Sequence, residues 1–282
     1  MVKFTQEQVS PSTRRIRGVG DVCMYLVEGA DKAALIDTGY GIGDLKGYVE
    51  TLTEKPLIVL ITHGHLDHVA GAGQFEQVYM NHADITLAKE HSMVEMRKAA
   101  MRNSAPQLLA GLTEEDFIPP FTGEFLPLQD GQTFDLGGVT LKLLALRGHT
   151  NGILTVLNVQ DRTIMLGDAC GVGVLLCLPE STNIEDYRAN LINMQHNEPL
   201  YDQVLREHGK FESPCSVLED CIEACDHILA GTDDAVRTEM MGLVAYRAFA
   251  VDEDGKRLDG KEGNLLYKPE KVYASNHSSK SK

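Results

Sequence analysis

Residues 60–71 read Leu-Ile-Thr-His-Gly-His-Leu-Asp-His-Val-Ala-Gly, which places His63, His65, Asp67 and His68 within six consecutive positions. Few folds need that density of imidazole. The run follows "LIVLIT", a continuous stretch of β-branched residues and leucine that predicts a central strand buried on both faces. His63 and His65, two apart, project the same way if the chain stays extended through Gly64. Asp67 and His68 fall where the loop curls into a helix beginning near Val69. The spacing therefore divides the four into two pairs aimed at adjacent points. Zinc takes four ligands, or five when catalytic, from imidazole, thiolate and carboxylate. The loop supplies part of such a shell and needs partners elsewhere. The alternative, a polar loop with surface histidines, fits poorly with four ligand-type side chains directly after a buried strand.

The rest of the chain alternates strands with helices. Residues 22–37 predict two strands, "CMYLV" and "AALID", about the turn "EGADK". "DLKGYVETLTE" has Leu45, Val49 and Leu52 at helical spacing, and Pro56 ends it. "QVYMN" is a short strand. Residues 83–112 turn helical, with Met93, Met96, Ala100 and Met101 roughly on one side and an interruption at Pro106. The segment 83–121 reads as a helical insertion placed to cap a site. "EFLPL", "QTFDL", "VTLKLLAL", "LTVLNV" and "TIMLGDA" restore the strand rhythm. Residues 183–197 and "SVLEDCIEAC" are helical, the latter with Val217, Leu218, Cys221, Ile222 and Cys225 inward. "YDQVLREHG" and "HILAG" read as strands, and "RAFAVDEDGKRL" with "NLLYKPEKVYA" as a terminal hairpin pair. Residues 1–273 are expected to form one domain and 274–282 a disordered polar tail.

Bulk composition narrows the function. The 282 residues are 43% hydrophobic and 24% charged, an ordinary globular balance, with a formal net charge of −15. That charge repels phosphate backbones and disfavours nucleic acid as a partner. The N-terminus lacks the apolar core of a signal peptide, and no apolar run approaches the ~20 residues of a membrane span. The six cysteines are irregularly spaced and read as reduced, buried thiols. The expectation is a cytoplasmic protein acting on a small molecule, with no membrane partner. Its oligomeric state is open, a homodimer being one option.

The pattern H-x-H-x-D-H resembles the signature of the metallo-β-lactamase superfamily. The resemblance extends over roughly residues 20–235, with further matches in order. "LIDTG" at 35–39 is similar to the strand and turn before that family's metal loop. "GHTNG" at 148–152 is similar to its G-H-T-x-G motif, and "MLGDA" at 165–169 to its strand-end Gly-Asp. The resemblance implies a four-layer αβ/βα sandwich, an α/β fold with the metal site at the edge between two sheets. It also implies His149 as a ligand and Asp168 as a carboxylate bridging two ions. The family's last histidine follows a strand. His208, in "REHG", is chosen over "HILAGTDD", where Thr232 stands at the expected place and His227 at the wrong end of the apolar run. The implied map gives one metal to His63, His65 and His149 and a second to Asp67, His68 and His208. Asp168 lies between them, and Asp37 orients an imidazole from behind.

The cofactor implied is two divalent ions, zinc first, with iron or manganese as options. The chemistry implied is that of the glyoxalase II-like and lactonase-like hydrolases. A hydroxide held by the metals attacks an ester, thioester or lactone, and Asp67 orients it or carries its proton. Two alternatives stand beside it. One is a mononuclear iron dioxygenase of sulfur compounds on the same fold. The other is a metal-binding ligand sensor without turnover. Arg97, Lys98 and Arg102 are candidate anion contacts in the helical segment, set against the plainer reading of a solvated helix face.

Overall fold

The strand that feeds the histidine loop lies inside a seven-stranded sheet. The computed structural model describes residues 2–240 and 242–274, so 275–282 of the expected tail, with His277, fall outside the described residues. In order across the sheet come β1 (Thr5–Ser10), β2 (Thr13–Arg17), β3 (Cys23–Glu28), β4 (Ala33–Ile36), β5 (Leu57–Ile61), β6 (Val78–Met80) and β7 (Leu126–Pro127). β1 to β4 pair antiparallel, whereas β4 to β7 are parallel. Parallel neighbours need crossovers. Those connections carry α1 (Leu45–Glu50), α2 (Leu66–Val69), α3 (Ile85–His91), α4 (Val94–Ser104) and α5 (Pro106–Ala110).

A second sheet has the order β14 (Glu212–Ser213), β13 (Gln203–Leu205), β11 (Thr163–Met165), β10 (Leu154–Asn158), β9 (Thr140–Ala145) and β8 (Thr133–Asp135). Its outer face is covered by α6 (Ile184–Gln195) and α7 (Val217–Ala230), whose Leu191, Met194, Val217, Cys221 and Ile228 join one apolar cluster with Leu157, Ile164 and Val204. A third, smaller sheet runs β12 (Val174–Leu175), β17 (Leu265–Tyr267), β16 (Leu243–Arg247) and β15 (Val236–Met240).

Side chains alternate across each strand, and that alternation assembles the sandwich. Met24 and Leu26 of β3, Leu35 of β4, and Val59 and Ile61 of β5 pack with Leu45 and Val49 of α1. Cys23, Tyr25, Ile36 and Leu60 point the other way and meet Leu141, Leu143, Leu154, Val156, Met165 and Leu205 of the second sheet. The layers are helix, sheet, sheet, helix, which is the expected αβ/βα sandwich. β5 is buried on both faces, as its unbroken apolar run predicts.

Several local expectations are corrected. "HILAG" is not a strand. Its first four residues form the end of α7, because the buried positions Val217, Cys221, Ala224 and Ile228 continue one helical period to Gly231, which ends the helix at φ +66°. "YDQVLREHG" is a strand only over Gln203–Leu205, and β14 intervenes before α7. The β1–β2 pair was not anticipated. Pro106 opens α5, where it requires no backbone donor. Arg97 is fully buried rather than solvated. Its guanidinium donates to the carbonyls of Tyr40 (3.1 Å), Gly41 (2.8 Å) and Ile118, which ties α4 to the loop after β4. It is not available to a substrate anion. All six cysteines are free thiols, and Cys215 alone of them is exposed. Among the described residues no helix is long and apolar enough to cross a membrane.

Leu60 is 1% exposed at the centre of the inter-sheet core. Leu60→Ala is expected to lower unfolding free energy by about 2–5 kcal/mol in denaturant titration. Leu126→Ala, at a site 36% exposed, should stay within about 0.5 kcal/mol.

Candidate metal centre

β5 ends at Ile61, and two buried carboxylates position the next seven residues. Asp37 follows β4 in a left-handed conformation, φ +63°, which a non-glycine residue adopts only when its surroundings hold it there. Its Oδ1 accepts from the Thr62 amide at 2.7 Å, and its Oδ2 from the Thr62 hydroxyl and His68 Nδ1, both at 2.7 Å. A second buried carboxylate, Asp84, ties this loop to the loop carrying His149. It accepts from the Gly64 amide (3.1 Å), the Thr150 hydroxyl (2.6 Å) and the Gly152 amide (2.8 Å). A Cβ at Gly64 would stand 2.9 Å from the Asp84 carbonyl oxygen, so glycine is required for this approach.

Each of five imidazoles has its outward nitrogen on an acceptor. His149 Nδ1 donates to the Leu175 carbonyl at 3.0 Å, and His208 Nδ1 to that of Asp21. His68 Nδ1 donates to Asp37, and His65 Nε2 to the Glu180 carboxylate at 2.6 Å. The Thr62 hydroxyl uses its one hydrogen on Asp37, so its oxygen accepts from His63 Nδ1 at 3.0 Å. A neutral imidazole carries one N–H. In their neutral forms the inward atoms, His63 Nε2, His65 Nδ1, His149 Nε2, His68 Nε2 and His208 Nε2, therefore carry lone pairs, His68 only once it gives up the second proton that its acidic neighbours hold.

Those lone pairs converge. His65 Nδ1 lies 3.1 Å from His63 Nε2 and 2.8 Å from His149 Nε2. His68 Nε2 and His208 Nε2 are 3.3 Å apart. Asp67 reaches His208 Nε2 at 3.4 Å and His68 Nε2 at 3.9 Å. Asp168 spans the two groups. Its Oδ2 is 3.4 Å from His149 Nε2, 3.7 Å from His68 Nε2 and 4.0 Å from His63 Nε2, and its Oδ1 is 3.4 Å from His208 Nε2. Donors about 2.1 Å from one tetrahedral ion stand roughly 3.4 Å from one another, so these separations and this nitrogen–oxygen set fit divalent metal. His63–His65–His149, His63–His68–Asp168 and Asp67–His68–His208 each form a group able to hold an ion. The structure thus brings together all seven side chains singled out in the sequence.

The electrostatics are uneven. Burial, then the neighbouring imidazoles, pushes His63 well below the usual histidine range and His149 down to about 4. Burial also disfavours charge on His68, but Asp67, Asp37 and Asp168 outweigh it and hold His68 well above that range. Asp168 is half-buried; burial works against its charge, yet His208 and His68 hold its carboxyl well below the usual carboxylate range. Positive charge is drawn to the Asp67–His68–His208 side.

Sequence reasoning missed four neighbours. Asp84 and Glu180 act through contacts that no motif marks. His91 stacks on His65 with ring centroids 5.2 Å apart at 23°. Glu207, next to His208 in the chain, is fully buried, and neither of its carboxylate oxygens has a hydrogen-bond partner among the described residues. Burial, with Asp37 and Asp168, pushes its carboxyl well above the usual range. His227 sits in the last turn of α7, hydrogen-bonded to Thr232 and packed edge-on to Phe249 at 5.2 Å. His82 contacts the Phe125 carbonyl, and His196 the Asn193 carbonyl.

A sandwich with this loop at its sheet edge defines a class. The chain belongs to the metallo-beta-lactamase superfamily, whose sequence profile matches residues 17–201. Human acyl-coenzyme A thioesterase MBLAC2 is 26% identical over 181 residues, which cover 58% of this chain and 63% of that protein. The match thus spans less than two thirds of that relative's length. The hydroxyacylglutathione hydrolase GloC of Haemophilus influenzae is 28% identical over 147 residues, covering 52% of this chain and 65% of that one. A metallo-beta-lactamase from Pontibacter korlensis superposes with a TM-score of 0.56 at 17% identity, over 78% of this chain and 98% of that one. At that identity the likeness shows the fold.

His208→Ala is expected to reduce bound metal sharply in elemental analysis of the purified protein, while His227→Ala leaves it unchanged. The reverse pattern would mean that the last donor was placed wrongly.

Proposed function

We propose that this chain is a metal-dependent hydrolase of a small ester, thioester or lactone, with acyl thioesters as the first class to try. The observation that carries this reading is the convergence of five inward imidazole nitrogens with the carboxylates of Asp67 and Asp168. His63, His65 and His149 would hold one divalent ion, Asp67, His68 and His208 a second, and Asp168 would bridge them. Zinc suits these donors, and iron and manganese accept the same set. When bound, two such ions lower the pKa of a shared water from 15.7 to about 7 and so provide a nucleophile at neutral pH.

The chain's own residues do the remaining work. The side chains of Asp67, Asp168 and His208 are 19%, 21% and 33% exposed, so this is the side a substrate reaches. Asp67 is the residue that orients the attacking water and carries a proton to the leaving group. His65 and His149 are too deeply buried to meet a substrate and serve only as donors.

The names of the relatives, an acyl-coenzyme A thioesterase and a hydroxyacylglutathione hydrolase, support thioesters ahead of lactones. A mononuclear dioxygenase would leave the closely spaced Asp67, His68 and His208 without a task, which favours hydrolysis over it.

The purified protein is expected to bind about two divalent ions, to hydrolyse members of an acyl-thioester panel, and to lose that activity on chelation. Asp168→Ala should lower bound metal to about one ion per chain. A single iron with oxygen consumption, or no turnover across ester, thioester and lactone panels, would overturn the reading.

A further inference from the structure

The family match ends at residue 201, yet a side chain from far beyond it reaches back towards the histidines. β12 enters the third sheet by pairing Val174 with Leu265 and Leu175 with Leu266 of β17. The chain then turns through residues 176–182 and brings Glu180 to His65, Oε1 to Nε2, at 2.6 Å. Lys271, in the turn that follows β17, donates from Nζ to the carbonyls of Leu178, Pro179 (3.1 Å) and Ser181 (2.7 Å). These three carbonyls flank Glu180 on both sides, so one ammonium fixes the backbone that presents the carboxylate. The Ser181 hydroxyl bonds to the His149 carbonyl at 2.9 Å, and Asn151 Nδ2 to the Glu180 carbonyl at 3.1 Å. The same turn is thereby docked on the loop that carries His149. His91 stacks against the His65 ring, which leaves that ring one orientation and one acceptor.

We propose that Glu180 is a positioning residue for His65 and that Lys271, from the C-terminal sheet, holds it in place. Lys271, beyond the family match, then contributes through Glu180 to the metal affinity of the histidine cluster. The physical reason is general. A carboxylate on the outer N–H of a ligating imidazole fixes the tautomer and makes the inward nitrogen a better donor. The proposal rests on the metal-centre reading above. It adds that part of the affinity is supplied by a residue 115 positions along the chain from His65, held in turn by one 90 positions further from the loop it grips.

The test compares zinc affinity, by competition with a chromophoric chelator, in full-length wild type, Glu180→Ala, Glu180→Gln, Lys271→Met and the Glu180→Ala/Lys271→Met double variant. Thermal midpoints of the metal-free proteins report folding separately. Glu180→Ala should weaken zinc about 10- to 100-fold. Glu180→Gln should recover part of that loss, because the amide oxygen still accepts the imidazole N–H. Lys271→Met should cost less than Glu180→Ala, and the double variant should bind no more weakly than Glu180→Ala alone, since Lys271 acts through Glu180. Wild-type zinc affinity in Glu180→Ala, or fully additive losses in the double variant, would overturn the proposal and leave the metal centre standing. Failure of the wild type to take up zinc would instead overturn the metal-centre reading, and this inference with it.

Discussion

The carboxylate of Asp37 is the contact on which the site's geometry depends. It is fully buried, and a buried carboxylate is costly unless donors surround it. Thr62 supplies two of those donors and His68 the third. By fixing the Thr62 hydroxyl hydrogen, Asp37 decides which nitrogen of His63 faces inward. By accepting directly from His68, it decides the same for that ring. One side chain thus sets the tautomers in both halves of the donor cluster. The strained backbone of Asp37 persists because these bonds over-determine it.

Around that anchor the fold concentrates negative charge in a small volume. Asp67, Asp37 and Asp168 hold the proton affinity of His68 well above the usual range while burial works against them. His63 and His149 show the opposite behaviour, because burial and other imidazoles dominate there. The arrangement makes physical sense for a place built to receive positive charge, and much less for a surface polar loop. The sheet edge supplies what such a place needs, namely the ends of β5 in one sheet and of β11 and β13 in the other, with the loop between β9 and β10.

Local features of this architecture were legible in the sequence, and non-local ones were not. The apolar run 57–61 and the six positions after it are continuous in the chain, so periodicity and ligand spacing expose both. His149 and Asp168 were found because short motifs surround them. Asp84 and Glu180 carry no such mark. Their importance comes from partners 66 and 115 positions away, and a lone carboxylate in a loop looks the same with or without them. "HILAG" misled because a five-residue apolar run fits either period, and only the buried positions upstream in α7 decide it. β1 was invisible for a different reason. Its residues, Thr-Gln-Glu-Gln-Val-Ser, form a mostly exposed edge strand with no apolar alternation. Arg97 reversed the usual expectation for a helical arginine, since its Nη1 and Nη2 reach three carbonyls in the interior.

The account's central claim is that the five inward nitrogens and two carboxylates hold two cations side by side. Anomalous diffraction at the zinc edge, on crystals grown with zinc, tests it most directly. The account predicts two peaks about 3.5–4 Å apart, one among His63, His65 and His149 and the other among Asp67, His68 and His208, with Asp168 touching both. No peak at this cluster, or a single one with Asp67, His68 and His208 left vacant at saturating zinc, would contradict it.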